Sequence, residues 1–221
     1  EKTLPWKDNG DRLLTRKMYM NFMEEHAKLQ SEFYSAVDTF LNVQYPKARD
    51  QASFRMGDLF NPSDYPSTTE LDRKFYVRLD IDAVMEANDF RVELSSEAEN
   101  RAVRDQMERA MADRISRAMG DVWTRLSTVL SHFASKMDSD DVFRDTTVGN
   151  LEELVELLPA LNVTNDPRLT QIGEDIARTL VGYAPKDLRA NKATRSMVAD
   201  EAKRIMEDMS GFMNAFGGSN A

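Results

Sequence analysis

The sequence predicts a mainly α fold with one small antiparallel β-hairpin and a long central helix. Apolar residues recur at helical spacing between residues 15 and 45, which indicates a first amphipathic helix. The stretch from Ser95 to Lys136 contains no proline and one glycine, so it can form a single long helix. Residues 73–82 alternate strictly between apolar and polar side chains, which is the period of a β-strand.

The first helix is predicted to run from about Thr15 to Tyr45. Proline ends a helix because it has no N–H and its ring meets the preceding turn, so Pro46 marks the boundary. The same Pro46 suits the first turn of a second, shorter helix that ends near Met56. Residues 67–70, Ser-Thr-Thr-Glu, form a capping-box pattern that predicts another helical turn just before the alternating segment.

The alternating segment 74–82 predicts one strand of the hairpin, and residues 90–94 predict its partner. Both carry apolar residues on one face, and Asn88-Asp89 supplies turn-forming residues ahead of the second strand. A two-stranded hairpin is only marginally stable in water, so helices are expected to cover its apolar face. That face holds Phe75, Val77, Leu79, Ile81, Phe90, Val92 and Leu94.

The long helix carries an apolar stripe whose average spacing is near 3.67 residues, the period of a straight or slightly right-handed stripe. One unbroken helix here would be roughly 60 Å long, which predicts either a kink near Gly120 or a spine. Such a spine would pack against other helices or form a homo-oligomer with a second subunit. We predict two domains, a helix–hairpin–long-helix core over 1–145 and a C-terminal helical subdomain over 146–221.

The polar face of the predicted strand is the candidate binding surface. Tyr76 lies between Lys74 and Arg78, an arrangement of aromatic and cationic side chains that can stack a base and contact phosphates. Arg73 and Arg91 would add phosphate contacts. A solvated strand face explains the same pattern, and Asp80 and Asp82 would close the far end of a phosphate path.

A second group of cations is expected in the C-terminal third. The segment 186–204 is locally basic in a chain whose net charge is −9. Arg189, Lys192 and Arg195 would continue the nucleic-acid contact if their helix lies beside the hairpin. The competing interpretation is a helix surface of mixed charge.

Several function classes are not expected. The chain has no cysteine, which excludes disulfides, thiolate metal sites and cysteine nucleophiles. No P-loop, G-x-S-x-G or H-E-x-x-H motif is present, and the two histidines, His26 and His132, have no nucleophile near them. The acidic residues around Asp138 lack the spacing of a calcium loop. We therefore expect no catalytic residue, metal or cofactor, and no apolar run is long enough to span a membrane.

Three segments resemble a known family. They are Leu4–Leu14 (LPWKDNGDRLL), the alternating hairpin, and residues 150–154 (NLEEL) followed by residues 161–163 (LNV). They are similar to early proteins of podovirus-type bacteriophages that carry a giant virion RNA polymerase. One such protein is a single-stranded DNA-binding cofactor of the phage middle-gene RNA polymerase, with a fold unlike the OB-fold.

The resemblance implies a non-catalytic single-stranded DNA-binding protein that recruits a phage RNA polymerase in the cytoplasm of an infected bacterium. The chain also resembles phage proteins with a helix–hairpin–helix plan that are encoded beside a MoxR-type AAA+ ATPase. This second resemblance implies an interaction or scaffold protein. The two alternatives differ in whether Lys74, Tyr76 and Arg78 are exposed or buried in a subunit contact.

Overall fold

A computed structural model describes residues 2–84, 96–139 and 143–217, with side chains given as far as residue 211. The protein is 77% helical, with one two-stranded antiparallel hairpin and one long helix, so the predicted fold class is confirmed. The α-helices are α1 (Tyr19–Thr39), α2 (Tyr45–Met56), α3 (Thr68–Asp72), α4 (Glu97–Asp138), α5 (Asp145–Leu161), α6 (Pro167–Thr179), α7 (Pro185–Ala190) and α8 (Lys192–Gly217).

The hairpin lies at the N-terminal end of the chain and not at the predicted position. Its strands are β1 (Leu4–Pro5) and β2 (Arg12–Leu13), with Leu4 opposite Leu13. The predicted strand over 74–82 is wrong, because residues 75–84 form no strand; its predicted partner, 90–94, lies outside the described residues. A strand needs backbone partners for its N–H and C=O groups, and residues 75–84 have no strand partner among the described residues.

The turn of the hairpin lies at Asn9-Gly10. Gly10 has φ of 93°, a conformation that glycine adopts without steric cost, and the Asn9 side chain accepts a hydrogen bond from the Asp11 N–H at 3.1 Å. The hairpin is fixed to α4 by the buried Leu4 and by polar contacts. Arg117 pairs with Asp8 at 2.8 Å, and Arg125 donates to the carbonyl of residue 3 at 2.9 Å.

Contacts divide the chain into two compact units. The α1–α3 unit is Tyr19–Val84, and the α4–α8 unit is the rest of the described chain, including the hairpin. The predicted boundary between residues 145 and 146 therefore falls inside the α4–α8 unit. That boundary separates α4 from α5, whereas these two helices pack against each other.

The α4–α8 unit contains the main hydrophobic core. The second half of α4 packs against α8 and α5, and α6 packs against α5 and α8. Of the predicted stripe of α4, Ala118, Val122, Leu126 and Phe133 are buried and Val129 is half-buried. The helix spans 42 residues and continues through Gly120 without interruption. The predicted stripe is thus the packing face of the long helix in its second half.

The α1–α3 unit is built around an irregular helical turn. Residues 40–44 form a π-helical turn between α1 and α2, and the Tyr45 N–H donates to the carbonyl of Phe40, five residues earlier. Pro46 explains this turn, because it has no N–H to donate and its ring would clash with the carbonyl four residues before it. The predicted capping box at α3 is present, with Ser67 and Glu70 each accepting a backbone hydrogen bond from the other.

Candidate nucleic-acid interface

The segment 73–78 follows α3 and keeps its alternating exposure without belonging to a sheet. Tyr76 is 72% exposed. Its neighbours Phe75 and Val77 are half-buried, whereas Lys74 and Arg78 are exposed. The predicted polar side chains are therefore exposed, although residues 73 and 74 form a turn at the end of α3 and residues 75–84 form no strand.

The buried side of this segment is fixed by contacts within the α1–α3 unit. The ring of Phe75 packs against Phe40 with a centroid distance of 5.7 Å and an interplanar angle of 74°. The Val77 N–H donates to the Tyr34 hydroxyl at 3.4 Å, a long hydrogen bond. At the start of the segment, the Lys74 N–H donates to the Leu71 carbonyl at 2.9 Å. These contacts hold one side of the chain, so Tyr76 points to solvent.

The cationic side chains around Tyr76 are not equally available to contact a phosphate. Arg78 pairs with Asp80, with Nε 2.8 Å from one carboxylate oxygen and 2.9 Å from the other. Both side chains are largely exposed, and an exposed pair contributes little to stability, typically about 0–1 kcal/mol. Asp80 therefore competes with any phosphate for Arg78. Within the described part of the chain, Arg73 and Lys74 are exposed and form no ion pair.

The predicted C-terminal cations belong to the other unit, and Arg195 has a structural role there. Its guanidinium donates to the carbonyls of Lys136 and Met137, both at 3.3 Å, and to that of Ser139. These are carbonyls at the end of α4 that have no partner within the helix. A cation at this end also interacts favourably with the helix dipole. Arg195 is thus a cap of the long helix.

Arg189 is also engaged in contacts within the α4–α8 unit. It pairs with Asp145 at the start of α5. The guanidinium carbons of Arg189 and Arg195 lie 5.2 Å and 5.6 Å from the ring centroid of the buried Phe143. Lys192, in the first turn of α8, is exposed. Arg189 and Arg195 thus meet at Phe143. Arg91 lies outside the described residues.

One exposed aromatic side chain was missed by the sequence analysis. Phe54 of α2 is 91% exposed, and Leu59, which follows the helix, is 81% exposed. The half-buried side of α2 carries Tyr45, Arg49 and Ala52. Phe54 does not fall on that stripe at helical spacing, and this mismatch is the signal that would have marked it as exposed.

The described ranges offer no metal site and no membrane span. No three side chains among their histidines, aspartates and glutamates come close enough together to hold an ion. None of the helices in these ranges has both the length and the apolar character needed to cross a membrane.

Comparison with known proteins gives no significant match to a protein-family model, a curated protein or a solved structure.

Proposed function

We propose that the protein is a non-catalytic single-stranded DNA-binding protein that acts as a phage transcription cofactor. The observation that supports this proposal is the exposed Tyr76, placed between two exposed cations on a segment whose other side is fixed. An aromatic ring stacks on any base, and each stacked base contributes about 1–3 kcal/mol to binding. Lys74, Arg78 and Arg73 supply the phosphate contacts next to the ring.

Binding at this segment has to overcome the overall charge of the molecule. The net charge of −9 repels a polyanion at long range, so the contact depends on local cations and weakens steeply with salt. Asp72, Asp80 and Asp82 flank the segment and restrict the DNA path to the few residues between them. We therefore expect a short site of moderate affinity that prefers single strands, because their bases are accessible for stacking.

The recruitment of a phage RNA polymerase is the second part of the proposal. It rests on the family resemblance of the N-terminal residues 4–14 and the segments at 150–154 and 161–163. Both contacts would be non-catalytic binding surfaces. One face of the protein could therefore bind a single strand while another face binds the polymerase. Pull-down of the purified phage polymerase, with and without single-stranded DNA, tests this part separately.

The DNA-binding part is tested by fluorescence anisotropy with labelled oligonucleotides. We expect the wild-type protein to bind a single strand more tightly than the matching duplex at ~50 mM salt, and to lose affinity at higher salt. The double variant Tyr76→Ala with Arg78→Ala should bind at least about tenfold more weakly. Tyr76→Phe keeps the ring and serves as the matched control. Absence of binding at ~50 mM salt would exclude this function.

A second candidate is a helical interaction or scaffold protein, such as an accessory partner of a MoxR-type AAA+ ATPase. It is favoured by α1, in which Met20 is 66% and Leu29 is 64% exposed and Val37 is the one buried residue. Exposed apolar side chains on a helix are typical of surfaces that contact another protein. Sedimentation equilibrium distinguishes this candidate, because Leu29→Glu should dissociate a self-associated species whereas Ser31→Glu should not.

A further inference from the structure

Phe54 occupies the solvent side of α2. Successive residues of a helix are rotated by about 100°, so Phe54 points away from the half-buried side that carries Tyr45 and Ala52. Its side chain is more exposed than that of Tyr76. Phe54 lies in the last turn of α2 and buries little apolar area, so its ring contributes little to folding.

The surroundings of Phe54 are polar, with the cations on one flank. Lys47, Gln51 and Arg55 are spaced four residues apart and form a row beside the ring. The Arg55 Nε donates to the Gln51 carbonyl at 3.4 Å, so this side chain lies along the helix. Asp50 lies on the other flank, and Asp58 follows the end of the helix. The side of Phe54 that carries Lys47 and Arg55 is therefore the more favourable one for a negatively charged ligand.

We infer that Phe54 is a second base-stacking residue for single-stranded DNA, with Lys47 and Arg55 as its phosphate contacts. The inference rests on the proposed function and extends the DNA surface from Tyr76 to α2. Like Tyr76, Phe54 is an exposed ring close to two cations, with both cations on one side of the ring. A protein-docking surface would instead need a contiguous apolar patch. The positions three and four residues from Phe54 hold Asp50, Gln51, Gly57 and Asp58, none of which has an apolar side chain. Met56 lies on the opposite side of the helix, and the exposed Leu59 lies in the turn beyond the helix end.

Both rings belong to the α1–α3 unit and are connected through packed aromatic residues. Phe75, the neighbour of Tyr76, contacts Phe40, and Phe40 lies 5.9 Å from Tyr45, ring centroid to centroid. Tyr45 begins α2, and Phe54 lies nine residues farther along, about 14 Å at 1.5 Å per residue. A very short oligonucleotide can stack on one ring only, whereas a longer strand reaches both. The contribution of Phe54 should therefore depend on oligonucleotide length.

The experiment measures the dissociation constants of oligothymidylates of 2 and 20 nucleotides for wild-type protein and variants at ~50 mM salt. Phe54→Ala should weaken binding of the 20-mer about five- to tenfold relative to its effect on the dinucleotide, and Phe54→Trp should restore it. Leu59→Ala is the matched control, because it removes a comparably exposed side chain that cannot stack, and it should leave both constants unchanged. Circular dichroism verifies that α2 stays folded in each variant.

Three outcomes would overturn the inference. If Tyr76→Ala weakens binding but Phe54→Ala does not, Phe54 has no part in the site, and the proposed function stands. If Phe54→Leu binds the 20-mer as well as the wild type, the contact is not stacking. If the wild-type protein binds neither oligonucleotide, the proposed function fails together with this inference; loss of self-association in Phe54→Ala would then assign the residue to a protein contact.

Discussion

Phe75 packs edge-on against Phe40, with ring centroids 5.7 Å apart and planes inclined at 74°. This pair joins the segment 73–78 to the π-helical turn between α1 and α2. Phe75 and Val77 are half-buried on either side of Tyr76, so the packing of Phe75 leaves the Tyr76 ring on the solvent side. An aromatic pair in this geometry contributes about 0.5–1.5 kcal/mol beyond the apolar area it buries.

Replacing Phe75 should therefore affect DNA binding without removing a DNA contact. We expect Phe75→Ala to destabilise the α1–α3 unit by about 1–2 kcal/mol, since the ring is half-buried and not fully buried. Without the Phe75 contact the segment is free to move, and ordering it on DNA costs entropy. Affinity for single-stranded DNA should therefore fall several-fold. Urea unfolding and anisotropy titration measure the two effects. Phe75→Leu should keep most of the affinity, and equal affinity in Phe75→Ala would show that the segment needs no fixed orientation.

The ion pair between Arg78 and Asp80 should limit DNA affinity. Asp80→Asn releases Arg78 for a phosphate and removes a nearby negative charge, so we expect about two- to fourfold tighter binding and a steeper salt dependence. Stability should change by less than about 0.5 kcal/mol because the pair is exposed. Asp82→Asn changes the net charge equally and serves as the control. Equal gains in both variants would indicate a general charge effect and not release of Arg78.

The helices were predictable from the sequence because their signals are local. The capping box at Ser67 and Glu70 and the apolar stripe of α4 each depend on residues within a few turns. The structure has both. The alternation in 73–82 is equally clear, but it specifies an extended chain with two faces and not a strand, because a strand also requires a partner elsewhere in the chain.

The candidate site was predicted less completely, because its exposure and ion pairs depend on contacts between residues that are distant in the sequence. The row Arg189, Lys192, Arg195 has the composition of a basic patch. However, the sequence does not show that Arg195 reaches the carbonyls at the end of α4 or that Arg189 pairs with Asp145. Likewise, the exposure of Phe54 depends on which side of α2 packs. Charge and apolar patterns identify the residue types of a surface, whereas their partners depend on the fold.

The variant Arg195→Ala distinguishes a structural role of this cation from a role in DNA binding. Its guanidinium is partly buried and donates to the last carbonyls of α4. Arg195→Ala leaves these carbonyls without a charged donor, so we expect the protein to lose about 1–3 kcal/mol of unfolding free energy. Affinity for single-stranded DNA should fall no more than in Lys192→Ala, which removes the same charge from the exposed first turn of α8. A large loss of affinity in Arg195→Ala with unchanged stability would assign this residue to the DNA surface.

The contact between Asp166 and Arg168 should make stability depend on pH under acidic conditions. Asp166 is buried at the start of α6, and its carboxylate accepts hydrogen bonds from Nε and Nη2 of Arg168 at 3.0 Å and 2.9 Å. The Arg168 side chain, followed by the backbone N–H of the same residue, holds the pKa of the Asp166 carboxyl below its ordinary value of about 3.8. Protonation therefore favours the unfolded state.

Because the pKa is lower in the folded state, the stabilisation is fully present above pH 3.8 and is lost as the pH falls through the lower, folded-state value. Asn is also a good N-cap but carries no charge, so Asp166→Asn should keep the start of α6. We expect this variant to lose about 1–2 kcal/mol of unfolding free energy at neutral pH. Its stability should also change less steeply with pH below 3.8. Urea unfolding at a series of pH values measures this slope. Arg168→Gln should reduce it in the same way, because the pKa of Asp166 would then rise toward its ordinary value. An unchanged slope in both variants would mean that other carboxylates determine the loss of stability in acid.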